Sequence, residues 1–145
     1  MHLVLIDLVP ALLSWEGRDL SEEPTVAPGA AHALGHLFDR YQVIGVADAG
    51  LSAGLLRRHL EREGLANHFD TVLTTAAHGP RLSARTLRRI VDAVAPGERP
   101  GVVTGRPDVA HQLAHSRFTV VLTTQEEFEG VPDALAAIEE GRITP

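Results

Sequence analysis

The sequence predicts an α/β fold, a three-layer α/β/α Rossmann-like sandwich with a five-stranded parallel sheet between helices. Two observations predict it. Short apolar runs rich in β-branched residues alternate with longer amphipathic stretches, at the spacing of strand–helix units. The runs VIGV, GVVT and VVLT are also nearly continuous in apolar residues, as expected of parallel strands that are buried on both faces.

The first third of the chain contains two predicted strands and one predicted helix. A strand at residues 2–7 ends on Asp7 after four consecutive apolar residues. Residues 14–27 are polar and contain proline and glycine, and they are predicted to form a loop. A helix over residues 28–40 begins at Pro-Gly, and its apolar residues recur at helical spacing. QVIGVA, residues 42–47, is the second strand.

The rest of the chain continues the alternation of helices and strands. A helix over residues 51–63 ends before Gly64, a typical residue at a helix C-terminus. The third strand, residues 69–74, is followed by a Gly-Pro break, and the next helix covers residues 82–94, with Ser83 at its start. The remaining elements are a strand at 100–104, a helix at 107–115, a strand at 118–122 and a helix at 131–140.

Composition and charge exclude several classes of function. The 145 residues fit one domain, 1–145. The chain has no cysteine, which excludes disulfides, zinc–thiolate sites and a cysteine nucleophile. All 13 basic residues are arginine, so chemistry that needs a lysine cannot run unchanged. The net charge of −6 argues against a nucleic-acid surface, and no apolar run is long enough to span a membrane. The N-terminus lacks the basic region of a signal peptide, so we expect a cytoplasmic location.

Acids, arginines and glycines collect after the predicted strands. Ligands of open parallel sheets bind beyond the carboxyl ends of the strands, where the strand order reverses. We therefore expect the functional residues in four places: Asp7, ADAG at 47–50, HGPR at 78–81 and GRPD at 105–108.

These stretches resemble the haloacid dehalogenase superfamily of aspartyl-nucleophile hydrolases. LVLIDLVPAL resembles the first motif, in which a strand ends on the nucleophilic aspartate. PTVAPGAAHALGHLFDRYQVIGVADAG, REGLANHFDTVLTTAAHGPRLSARTLRRIV and GVVTGRPDVAHQLAHSRFTVVLTT resemble the sections that carry the second, third and fourth motifs. The resemblance covers nearly the whole sequence in the right order, and it implies the same sheet topology.

The resemblance also implies which catalytic groups are present and which are missing. Asp7 stands where the family has its nucleophile. The general-acid position two residues later is Val9, and the Ser/Thr position is Ala47. The lysine position is best matched by Arg81, and the metal-binding acid is replaced by Arg106. Asp108 lies two residues further on and is the nearest remaining acid at this motif.

These replacements predict an eroded phosphatase site. A general acid contributes roughly 10²–10⁴-fold to a rate, and one oxyanion donor roughly 10²–10³-fold. An arginine in place of a metal ligand also leaves a phosphate facing a bare carboxylate. We therefore expect no cofactor, with magnesium binding only if the degenerate site still accepts it.

Individual residues have simpler interpretations as well. We expect Arg106 to occupy the metal position and to pair with Asp7, which would lower the pKa of Asp7. Asp48 can act as a ligand-binding acid or simply cap the helix that follows it. Asp108 can bind a ligand or be an acid favoured in the first turn of a helix.

The sequence therefore predicts a catalytically weak or inactive binding or regulatory module, a pseudoenzyme whose ligand-binding residues are Asp48, Arg81, Arg106 and Asp108. The alternative is an atypical or metal-independent hydrolase, phosphatase or dehalogenase-like, that uses Asp7 as nucleophile.

About twenty residues separate Asp7 from the 28–40 helix, too few for a helical cap, so we expect a capless domain. Its partner would be a small anionic ligand or a protein, and self-association as a homodimer is a further alternative.

Overall fold

A five-stranded parallel sheet forms the centre of the protein, as the sequence predicts. The computed structural model describes residues 2–141. The strand order is β5-β4-β1-β6-β7, with β1 in the middle and paired on both sides. The strands of this sheet are β1 (Leu3–Asp7), β4 (Gln42–Ala47), β5 (Thr71–Thr74), β6 (Gly101–Thr104) and β7 (Thr119–Leu122).

Helices cover both faces of the sheet and create two apolar cores. They are α1 (Leu8–Ala11), α2 (Ala30–Arg40), α3 (Ala53–Arg62), α4 (Ala84–Val94), α5 (Pro107–Ala114) and α6 (Val131–Glu139). Val4 and Ile6 face the core formed with α2, α3 and α6, while Leu3 and Leu5 face the core formed with α4 and α5. This alternation is the period of two that a strand imposes, and it explains why β1 has no polar residue before Asp7.

Local hydrogen bonds determine where the helices begin. The hydroxyl oxygen of Ser52 accepts a bond from the N–H of Leu55 at the start of α3. Ser83 and Thr86 form a reciprocal capping box at the start of α4. Pro107 occupies the first turn of α5, where its missing N–H costs nothing. The predicted strands and helices are thus confirmed, with differences at their ends.

The predicted loop over residues 14–27 is only partly correct. Two short strands, β2 (Leu13–Ser14) and β3 (Thr25–Val26), pair as an antiparallel hairpin at its two ends. Strands of two residues are too short to show any periodicity in a sequence. The intervening residues 15–24 contain no helix or strand.

These residues, here called the hairpin loop, pack on α3 through a buried histidine. His59 is 1% exposed, and its Nε2 donates to the carbonyl of Leu20 at 2.6 Å. The indole ring of Trp15 contacts the His59 imidazole edge-on, with 5.4 Å between the ring centroids, and Trp15 Nε1 donates to the carbonyl of Glu22.

Within residues 2–141, no helix combines the length and apolarity that crossing a membrane requires.

Candidate functional site

The strand order places the candidate site at the carboxyl end of β1. The chain runs from β1 to β4 and β5 on one side, then to β6 and β7 on the other, so the order reverses at β1. Asp7 is the last residue of this strand and is 1% exposed. The turns after β4 and β6 flank it, which is the position where open α/β sheets bind ligands.

Arg106, from the turn after β6, binds Asp7 through two N–H groups. Its Nε donates to Asp7 Oδ2 at 2.9 Å and its Nη2 donates to Asp7 Oδ1 at 3.2 Å. The predicted pairing of these two residues is therefore present and bidentate. Gly105 lets the turn approach closely, because a Cβ there would lie 3.2 Å from the backbone nitrogen of Ala11.

Thr104 completes the environment of the Asp7 carboxylate. Its hydroxyl donates to Asp7 Oδ2 at 2.8 Å and accepts from the backbone N–H of Arg106 at 3.1 Å. One side chain thus orients both members of the ion pair. Thr104 was not among the residues predicted from the sequence, although a hydroxyl at the end of an apolar strand is a usable signal.

Asp48 holds the outer side of the same guanidinium. Its Oδ2 accepts from Arg106 Nη1 at 2.9 Å, and its Oδ1 accepts from the backbone N–H of Leu82 at 2.6 Å. The interpretation of Asp48 as the cap of the following helix is wrong, because Ser52 caps α3. Asp48 instead joins three segments: the turn after β4, the turn after β6 and the loop before α4.

Burial and charge act in opposite directions on the central pair. Burial is the larger effect at Asp7 and raises the pKa of its carboxyl, although the bonds and charge of Arg106 and the hydroxyl of Thr104 lower it. The expected lowering of this pKa is wrong, because it counted the guanidinium and neglected the loss of water. Burial lowers the pKa of Arg106, but the bonds and charges of Asp7 and Asp48 outweigh it and raise this pKa above its ordinary value.

The other predicted residues lie outside this cluster. Arg81 is exposed, and within residues 2–141 its guanidinium makes no hydrogen bond or ion pair. Asp108 is an exposed acid in the first turn of α5. Ala47 is buried at the end of β4, and Val9 is partly buried after Asp7. The structure therefore brings together Asp7, Asp48 and Arg106 but not Arg81 or Asp108.

The residues at this site do not fit a magnesium ion. Mg²⁺ requires nearly octahedral oxygen ligands at about 2.0–2.1 Å. The carboxylates of Asp7 and Asp48 both bind the guanidinium of Arg106, which fills the space between them. Across the described residues 2–141, no group of three or more histidine, aspartate or glutamate side chains is arranged to hold a metal.

Comparisons with known proteins support the fold. No protein-family model matches the chain, and no similar sequence is found among curated proteins. A haloacid dehalogenase-like family hydrolase from Xanthomonas campestris superposes with a TM-score of 0.64 and 19% identity, over 86% of this chain and 60% of that one. The L-2-haloacid dehalogenase from Xanthobacter autotrophicus, with chloropropionic acid covalently bound, superposes with a TM-score of 0.60 and 19% identity, over 86% and 49%. The fold is that of the haloacid dehalogenase-like hydrolases, and this chain spans about half to three fifths of their length.

Proposed function

We propose that this chain is a small capless domain of the haloacid dehalogenase-like fold that binds a ligand or partner and does not hydrolyse phosphate esters. One observation carries the proposal: the guanidinium of Arg106 lies between the carboxylates of Asp7 and Asp48 and bonds to both. A permanent internal cation thus stands at the position where the resemblance places a metal-binding acid.

The first argument is that Asp7 is not free to attack a substrate. Its Oδ2 accepts two hydrogen bonds, from Thr104 and Arg106, and its Oδ1 accepts one more from Arg106. A nucleophilic carboxylate oxygen needs an accessible lone pair, and these three donors take three of the roughly four lone-pair sites of a side chain that is already 1% exposed.

The second argument is the charge of the site. Two carboxylates and one guanidinium leave a net charge of −1 around Asp7. Two like unit charges 4 Å apart repel by about 4 kcal/mol at an effective dielectric constant of about 20. A phosphate dianion would meet that repulsion without a divalent ion to offset it, which opposes binding next to Asp7.

The third argument concerns the donors of Arg106. A guanidinium has five N–H groups in a fixed plane. Nε, Nη1 and both N–H groups of Nη2 point to Asp7 and Asp48, although the second Nη2 contact, to Asp48 Oδ1, is long at 3.5 Å. One N–H remains, so Arg106 cannot clamp a phosphate or carboxylate in bidentate fashion without releasing Asp48.

The resemblance adds a fourth argument, the missing catalytic groups. Val9 cannot protonate a leaving group, and Ala47 cannot donate a hydrogen bond to a phosphoryl oxygen. Together these losses would remove roughly 10⁴–10⁷-fold of rate if they were additive. Even a competent nucleophile at Asp7 would therefore give slow turnover.

The second candidate function is a metal-independent hydrolase that uses Asp7. The structural neighbour with covalently bound chloropropionic acid favours this alternative, because it shares the fold. The alternative requires that substrate displace Arg106 from Asp7 and that an open site exclude water from the reaction. The first requirement counts against it because Arg106 binds Asp7 through two N–H groups. The second counts against it because the hairpin loop, residues 15–24, contains no helix that could cover the site.

Activity assays separate the two candidates. Wild-type protein and the Asp7→Asn variant are assayed with a chromogenic phosphate monoester and with 2-chloropropionate, each with and without magnesium. We expect both proteins to give equal, background rates in all four conditions, with cooperative unfolding confirming that both are folded. Turnover by the wild type that disappears in Asp7→Asn would overturn the proposal in favour of the hydrolase.

A further inference from the structure

A row of arginines outside the Asp7 site forms a basic surface. Arg81, in the loop before α4, and Arg85 and Arg89, on α4, follow one another at intervals of four residues, and all three are exposed. We call these three residues the arginine ridge. They line an open cavity of about 390 Å³, together with His78, Ser83 and Thr86.

The charge of the arginine ridge is uncompensated. No carboxylate lines its cavity, and the nearest acid along the helix is Asp92, three residues after Arg89. Within residues 2–141, the structure contains two ion pairs between side chains, Arg106 with Asp7 and Arg106 with Asp48, and neither involves an arginine of the ridge. Three guanidinium groups without a counter-charge are unexpected on a chain of net charge −6, because interspersed acids would ordinarily lie among them.

The backbone under the ridge is held in one arrangement. Asp48 accepts from the N–H of Leu82, and the carbonyl of Pro80 accepts from the N–H of Ala49. Gly79 has φ +149°, and a Cβ there would lie 2.9 Å from Thr86 Cγ2, so the loop packs tightly on α4. A fixed frame reduces the ordering cost of binding.

We propose that the arginine ridge binds a phosphate-bearing ligand. The planar donors of arginine match phosphate oxygens in pairs. Arg89 already donates through Nη1 to the carbonyl of His78 at 3.1 Å, but its charge and those of Arg81 and Arg85 around one cavity suit an oxyanion of charge −2 or more. The cavity volume lies within the range of about 300–1,000 Å³ of small-ligand sites. This inference rests on the proposed function in one respect, because it names the ligand class of the binding module.

Calorimetric titration of the full chain tests the proposal. The probes are inorganic phosphate, pyrophosphate and tripolyphosphate, with a phosphoserine peptide and its unphosphorylated form as a second arm. We expect affinity to rise with phosphate charge and to fall with added salt. Tighter binding of the phosphopeptide would support a protein-borne phosphate, and tighter binding of the polyphosphates would support a small ligand.

A matched pair of variants ties binding to the ridge. Arg81→Gln with Arg85→Gln removes two ridge charges, and Arg58→Gln with Arg62→Gln removes two exposed charges of equal spacing from α3. We expect the ridge variant to lose roughly tenfold in affinity for each arginine replaced, and the α3 variant to lose less than about twofold.

Equal losses in the two variants would mean that net charge alone attracts the probes, and would overturn the proposal. Absence of binding by the folded wild type would also overturn it. Neither result would bear on Asp7, whose role is decided separately by the hydrolysis assays with Asp7→Asn.

Discussion

Replacing Arg106 by methionine should destabilise the protein in a pH-dependent way. Arg106→Met keeps most of the aliphatic stem but removes the two hydrogen bonds that the guanidinium donates to Asp7, leaving a carboxylate that is 1% exposed without its cation. Removing one partner of a buried ion pair costs about 3–5 kcal/mol. The guanidinium side chain is 26% exposed, so water can replace part of the loss, and we expect about 2–4 kcal/mol at pH 7.

The pH dependence follows from the direction of the Asp7 shift. Its pKa is already raised in the folded wild type by burial, and removing Arg106 should raise it further. A carboxyl whose folded pKa exceeds its unfolded pKa favours the folded state at low pH, and this advantage is lost as pH rises through the folded pKa. The cost of Arg106→Met should therefore be small near pH 4 and grow towards pH 7.

Urea denaturation of wild type and variant at pH 4, 5.5 and 7 measures this cost. In thermal scans the variant should melt roughly 4–16 °C lower at pH 7, given about 2–4 °C per kcal/mol for a domain of this size. The double variant Asp7→Asn with Arg106→Met should recover most of the stability, because no unpaired buried charge remains. Arg62→Met, at an exposed position, is the matched control. If Arg106→Met cost no more than this control, or the same at every pH, the proposed burial of the ion pair would be wrong.

Two further predictions concern the metal position and the hairpin loop. Arg106→Asp puts a third carboxylate beside Asp7 and Asp48 and so creates a set of ligands for magnesium. Magnesium at about 10 mM should therefore raise the melting temperature of this variant and leave those of wild type and Arg106→Asn unchanged. Equal shifts in all three proteins would contradict the expectation. His59→Phe keeps an aromatic ring against Trp15 but loses the hydrogen bond to the Leu20 carbonyl. Trypsin should therefore cleave the hairpin loop after Arg18 faster than in wild type. The free energy of unfolding should fall by about 0.5–1.5 kcal/mol. Unchanged cleavage would show that His59 does not hold the loop.

The sequence predicted the sheet and the helices well because these elements depend on periodicity. The five strands are centred on short apolar runs, and the helices carry apolar faces and caps such as Ser83. The hairpin β2–β3 could not be found in this way, because two residues per strand provide no pattern. The burial of His59 was also missed, since an imidazole on a helix is ordinarily solvent-exposed and its partner, the Leu20 carbonyl, is a backbone group distant in sequence.

At the site, the sequence predicted partners better than energies. The pairing of Arg106 with Asp7 was predicted from the resemblance, which puts Arg106 at the position of the metal-binding acid, and the structure contains this pair. The roles of Thr104 and Asp48 depend on distances that only the folded chain provides. The direction of the Asp7 pKa shift was predicted wrongly, because a motif identifies the neighbouring charge but not how completely the fold excludes water.

The proposed binding function follows from how the two kinds of cation differ. A divalent ion can exchange its waters for substrate oxygens while it stays bound to protein carboxylates, and so it brings an anion to a carboxylate nucleophile. The guanidinium of Arg106 has fixed donors in one plane, and Asp7 and Asp48 take nearly all of them. The pocket therefore keeps a net negative charge, whereas the arginine ridge presents three cations without acids. The proposed phosphate-bearing ligand should therefore be attracted to the start of α4 and repelled from Asp7, so the proposed binding site is separate from the carboxylate that the resemblance identifies as the nucleophile.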